Sequence, residues 1–274
     1  MAVTVASSSA KLTNNPTTVV KPTGLAVGDL MICQLVMIGD TDVATWSTGW
    51  TLIEKKIDTN TSPDQYSELR WKIAESGDVS GSDVTIITSY SVGGTSMAHL
   101  LRITGHSPLG VITEASALEA TSATPSYANT ITPGSGNEDS LIIIFTNAYG
   151  ASITTSGYAI ATSNPSWTEQ YDESNGGTSV ACAFANRPQI TATGNTSLTY
   201  SGSTSSICQI LAVRPARTTT TSDTVTDTDS VAITSGYSTS QSDTVTDTDS
   251  TTATKGQGWT NDTKSVSSWT NKQK

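Results

Sequence analysis

The residue types that do chemistry are few in this 274-residue chain, and their spacing matches no common catalytic signature. His99 and His106 are the only imidazoles. Neither belongs to an H-E-x-x-H pattern and no Cys-x-x-Cys pair exists, so no zinc ligand set is legible. There is no G-x-S-x-G elbow and no Walker loop, and Gly134-Ser135-Gly136 runs on into Asn137-Glu138-Asp139 without the third glycine of a dinucleotide fingerprint. These absences point to a chain with no catalytic residue, no cofactor and no metal. A glycosidase needs only two carboxylates brought together by the fold, and Glu54, Asp58, Glu68, Glu75, Glu169, Asp172 and Glu173 near strand ends are available for that role. Acid pairs arise by chance on any acidic protein, and most of these read as solvated surface charges. His99 alternates with Met97 and Leu101, the pattern of a residue that faces a core or pairs in a sheet.

The most regular polar spacing lies near the C-terminal end. Ser222-Asp223-Thr224-Val225-Thr226-Asp227-Thr228-Asp229-Ser230 recurs identically at Ser242 to Ser250, twenty residues on. In extended backbone this alternation puts Thr224, Thr226 and Thr228 on one side and Asp223, Val225, Asp227 and Asp229 on the other, so such strands can pair with copies of themselves. Asp227, Asp229, Asp247 and Asp249 offer hard oxygen ligands as weak candidate cation contacts, but the glycine and glutamate of an EF-hand loop are missing. Six aspartates with no nearby base repel one another, so a partner, a cation or solvent must relieve the charge. A second repeat follows, Trp259-Thr260-Asn261-Asp262-Thr263-Lys264 against Trp269-Thr270-Asn271-Lys272-Gln273-Lys274. Tryptophan is costly to leave in water and is among the strongest interface anchors. Trp259, Asn261, Lys264, Trp269, Asn271 and Lys274 are therefore the candidate partner-docking residues, the lysines adding rim charge.

The elements that must position these residues are strands. Only 35% of the chain is hydrophobic and 14% charged, and Ser, Thr and Gly fill the rest; these are poor helix formers. From Arg217 to Lys274, Ser and Thr supply 28 of 58 residues, too little apolar material to offset the entropy of ordering. The expected organisation is a β-sandwich domain over residues 1–215 and an extended Ser/Thr-rich tail over 216–274. Residues 28–105 and 138–215 repeat one order of features. Gly28-Asp29-Leu30 corresponds to Glu138-Asp139-Ser140-Leu141, Gly49-Trp50-Thr51 to Ser166-Trp167-Thr168, and the strand ending on Arg102 to the one ending on Arg214. Leu69, Trp71 and Ile73 alternate with Arg70 and Lys72, as on a half-buried strand. Trp50 and Trp167 are expected to play the same packing role in the two halves. Eight to ten strands in two similar halves fit an all-β, antiparallel two-sheet sandwich of jelly-roll type with an internal pseudo-duplication. Cys33, Cys182 and Cys208 are odd in number and sit in apolar runs, as buried free thiols do. A net charge of −10 argues against nucleic acid, and no stretch is long and apolar enough for membrane insertion or a secretion signal.

Pro22-Thr23-Gly24-Leu25-Ala26-Val27-Gly28-Asp29-Leu30, Gly49-Trp50-Thr51-Leu52-Ile53, Arg70-Trp71-Lys72-Ile73-Ala74 and the closing Ile210-Leu211-Ala212-Val213-Arg214 resemble a widespread group of bacteriophage structural proteins. Their pattern is P-x-G-x-x-x-G-D-L, then G-W-x-x-I, then x-W-K-x-A, ending in a strand of the type A-L/V-R. The resemblance covers residues 1–215; the Trp-Thr-Asn tail is similar to short repeats at the ends of other small virion proteins. It carries no catalytic residue. It implies a virion component assembled in the bacterial cytoplasm, a decoration or fibre protein of head or tail. Its partners would be other virion proteins and copies of itself, a trimer being favoured. The alternative is a host-attachment module that binds a surface glycan.

Overall fold

Leu30 to Ile38 is buried along its whole length, as is Leu141 to Ala148, and a strand covered on both faces needs one layer above it and one below. The computed structural model describes residues 3–11, 17–39, 44–61, 63–90, 95–107, 112–150, 152–216, 220–225 and 240–245. The chain divides into two units, Met1–Ala216 and Arg217–Lys274.

The first unit is the expected antiparallel sandwich, carried further than expected: each half is a complete jelly roll. The first half comprises β1 (Thr4–Lys11), β2 (Thr18–Val20), β3 (Leu30–Ile38), β4 (Ala44–Trp46), β5 (Thr51–Asp58), β6 (Gln65–Ile73), a short helix α1 (Ser76–Ser80), β7 (Asp83–Thr85), β8 (Ile87–Tyr90) and β9 (Ser96–Thr104). The second comprises β10 (Ile112–Ser122), β11 (Ser126–Tyr127), β12 (Ser140–Tyr149), β13 (Thr155–Ile160), β14 (Thr168–Asn175), β15 (Thr178–Arg187), β16 (Thr196–Tyr200) and β17 (Thr204–Val213). The large sheets run β1-β9-β3-β6-β5 and β10-β17-β12-β15-β14. The small ones are β2-β7 with β4-β8, and β11-β16-β13. Counting β7 and β8 as one strand interrupted at Ile86, both halves have the order 1-8-3-6-5 over 2-7-4, a jelly roll whose fifth strand pairs with the sixth. The expected eight to ten strands become seventeen in this unit. The surplus lies in short or Ser/Thr-rich strands such as β1, β2 and β11, which lack an apolar alternation to betray them.

Three cores follow. Val19, Met31, Cys33, Leu35 and Ile87 fill the first jelly roll; Tyr127, Ile142, Ile144, Leu198 and Ile210 fill the second. The third joins the halves: Leu30, Ile32, Leu69, Leu101 and Ile103 of one large sheet meet Leu141, Ile143, Phe145, Leu211 and Val213 of the other. At the edges, strand five of each half lies by strand one of its neighbour. Lys56 on β5 reaches Glu119 on β10 at 3.4 Å, and Gln170 on β14 donates to Ser8 on β1 at 2.8 Å. The reciprocity is that of a two-fold dimer made covalent.

The second unit contains β18 (Thr220–Val225) and β19 (Ser240–Val245), which pair in parallel with each other.

Candidate functional site

The residues of the P-x-G-x-x-x-G-D-L run build a clasp. Gly24 and Gly28 take positive φ (73° and 92°), where side chains are strained. The Asp29 carboxylate accepts from the Ala26 N–H at 2.9 Å and from Arg102 Nε at 2.6 Å, while Arg102 Nη1 donates to the Thr23 carbonyl at 3.3 Å. A Cβ on Gly24 would stand 2.9 Å from Arg102 Nη1. The second half repeats the device with other groups. Arg214 Nε donates to Asn137 Oδ1, and Asn137 Nδ2 donates to the Pro133 carbonyl. In each half the arginine ending strand eight ties down the turn that launches strand three. Duplication was legible in the sequence; that Asn137, rather than Asp139, answers Asp29 was not.

A buried polar layer crosses the seam between the halves. Tyr171 OH donates to Gln34 Oε1 at 2.7 Å, Gln34 Nε2 to the Thr146 carbonyl at 3.3 Å, Ser67 to Gln209 Oε1 at 2.6 Å and Asn147 Nδ2 to Gln65 Oε1 at 3.0 Å. Ser205 donates to the buried Asp58 carboxylate, which also takes both N–H groups of Asn60. His99 is core-facing, as expected, and stacks on Tyr171 with centroids 4.1 Å apart. Burial drives its pKa down to about 3, so the imidazole is neutral near pH 7 and its 4.0 Å approach to Glu173 is not an ion pair. The seam signal in the sequence was a lone amide inside an apolar run, Gln34 in β3 and Gln209 in β17.

The large-sheet faces that line the two jelly-roll interiors diverge. On β6 the residues facing away from the seam are Tyr66, Glu68 and Arg70; on β15 the corresponding face is Ala181, Ala183 and Ala185. Glu68 is buried, receives the Tyr66 hydroxyl and pairs with Arg70. The Arg70 guanidinium lies 5.1 Å from the Trp46 ring centre, and Trp46 meets Trp50 at 5.6 Å. Beside them β5 presents the Lys55 ammonium over the Tyr66 ring at 4.8 Å, between Leu52 and Ile57, which are 48% and 43% exposed. The second half offers acid instead. Burial raises the carboxyls of Glu169 and Asp172; the Asp172 charge raises Glu169 further, and a 2.7 Å bond from the Thr155 N–H partly offsets the rise at Asp172.

The other sequence candidates fall as follows. Glu75 caps α1, with Asp78 and Lys72 beside it. Trp50, 7% exposed, lies in the first jelly roll's core and donates to the Thr85 carbonyl at 3.3 Å, and half-buried Trp167 packs against the second's core and donates to Asn164 at 2.8 Å, so both serve packing, one in the core and one at its rim. Cys33, Cys182 and Cys208 are free and buried, and burial pushes the Cys208 thiol up to about 12. Among the described residues no cluster of three His, Cys, Asp or Glu could hold a metal, and no helix is long and apolar enough to cross a membrane. Asp227, Asp229, Asp247, Asp249, Trp259, Asn261, Lys264, Trp269, Asn271 and Lys274 lie outside the described residues. No protein-family model matches the chain, and no curated protein matches it.

Proposed function

We propose that the chain is a non-enzymatic structural protein of a bacteriophage particle, a surface accessory of head or tail that assembles through its C-terminal segment. One observation carries this reading: the residues of the phage-like motif, Gly24, Gly28 and Asp29 with Arg102, are the clasp of a jelly roll that the chain builds twice. The motif is thus a fold determinant, and the binding surfaces are what the duplicated scaffold holds in place. Its activity is assembly, with other virion proteins and with its own copies as partners. The test is sedimentation of particles from the source culture on a density gradient, probed with antibody to this chain. The chain travels with the particles; recovery only in the soluble fraction overturns the proposal.

A second reading, attachment to a host glycan, is favoured by side chains of the first half. A saccharide ring is apolar on its faces and polar at its rim; Leu52 and Ile57 flank Lys55 along β5, and the partly exposed Trp46 lies under the Arg70 guanidinium on β6. A glycan array with the full chain, repeated with Lys55→Ala and Trp46→Ala, tests it. Loss of signal in both variants supports attachment, and a blank array with the unaltered chain removes it.

A further inference from the structure

The pairing of β18 with β19 is parallel and in register across the twenty-residue repeat. Ser222 stands opposite Ser242, Asp223 opposite Asp243, Thr224 opposite Thr244 and Val225 opposite Val245. Each strand faces its own sequence. Among the described residues the pair meets no third strand, and among them neither the outer edge of β18 nor that of β19 has a backbone partner. A two-stranded sheet is marginal in water, and parallel sheets are normally covered.

We infer that these edges bind the same two strands of further copies of this chain, β19 of one copy lying parallel and in register against β18 of the next. The occupant follows from the pair itself: the repeat already accepts its own sequence at this spacing, and successive strands of a parallel sheet are related by translation. A third SDTV strand therefore meets either edge as β18 and β19 meet each other. The symmetry also follows. The two edges differ, so the contact is head-to-tail, and a two-fold dimer cannot form it; copies close into a ring of three or more or continue as a filament. Asp223 and Asp243 face each other in the register, and every added copy extends that row of like charge, which favours a small ring over an open filament.

The inference rests on the assembly reading for its biological sense, and its test is independent of that reading. Thr224→Cys and Thr244→Cys are made as separate full-length chains, mixed and mildly oxidised. Opposed Cα atoms in such a pair lie about 5 Å apart, within disulfide reach, and the native cysteines are buried and do not compete. The mixture gives covalent dimers on a non-reducing gel, while neither variant alone does. Self-linking of either variant alone, or no linking in the mixture, overturns the inference. The Thr224→Cys/Thr244→Cys double variant links within one chain; if it does not, the pair is absent and the inference falls with it. Failure of any of these arms while the chain still sediments with particles leaves the assembly reading standing.

Discussion

The two jelly rolls gather the loop after strand six with different cations. In the first half, Lys72 near the end of β6 reaches Asp78 at 2.9 Å and Glu75 at 3.4 Å, holding α1 against the sheet. In the second, Arg187 at the end of β15 is fully buried and donates to the carbonyls of Gln189 (2.9 Å), Thr191 (2.7 Å) and Ala192 (3.3 Å), with no helix. A compact ammonium suits carboxylates on a helical turn, and a planar fork suits several carbonyls at once. Each copy places a cation after strand six, on a different residue with different partners. The same contrast separates Asp29 from Asn137 in the clasps and Tyr66-Glu68-Arg70 from three alanines on the large-sheet faces turned toward the two jelly-roll interiors. Topology and clasp persisted in both copies, while the side chains lining the two interiors drifted apart.

Arg187→Met breaks the contrast most severely. It removes a fully buried guanidinium that bridges three loop carbonyls and costs about 3 kcal/mol, against about 1 to 2 kcal/mol for Lys72→Met, one of whose acidic partners, Glu75, is open to water. Guanidinium unfolding of the two variants measures the gap, and equal losses would mean that the loops are held in the same way.

The seam gives the next effect. His99 has a folded pKa near 3, below its ordinary 6.5, so the unfolded chain takes up the proton first. Stability therefore falls as pH drops below about 6.5 and continues to fall to about 3, by about 1.4 kcal/mol per unit and about 2 kcal/mol by pH 5. Glu169, Asp172 and Glu173, raised by burial, push the opposite way at lower pH. The difference between the unaltered chain and His99→Phe, followed by tryptophan fluorescence from pH 7 to 5, isolates the histidine; parallel curves would contradict its burial as a neutral ring.

The clasps give the smallest effect. Arg102→Met removes a charge-assisted bond and costs about 2 kcal/mol, whereas Arg214→Met removes a bond to a neutral amide and costs about 1 kcal/mol. High salt narrows that difference, because the Asp29–Arg102 contact joins two charges while the Asn137 amide that Arg214 meets carries none. A difference that does not respond to salt would place the extra cost elsewhere.

Much of this was legible in the sequence. Asp29 and Arg102 recur at nearly constant offset as Asp139 and Arg214, and Leu69, Trp71 and Ile73 alternate as a strand must. The division into four layers was not, because β1, β2, β10 and β11 are rich in small or hydroxyl residues that read equally as loop. The cluster around Trp46 and Arg70 was hidden for another reason. Trp46, Trp50, Tyr66, Glu68 and Arg70 come from two strands and a turn, and only the jelly-roll topology brings them together. The SDTV repeat announced that it could pair with itself; the direction of pairing, which decides the symmetry, needed coordinates.

Sedimentation of the full chain beside a chain ending at Ala216 measures assembly most directly. Oligomers of three or more copies for the full chain, and a monomer for the shortened one, are the expected result. Identical masses for the two would contradict assembly through the C-terminal segment.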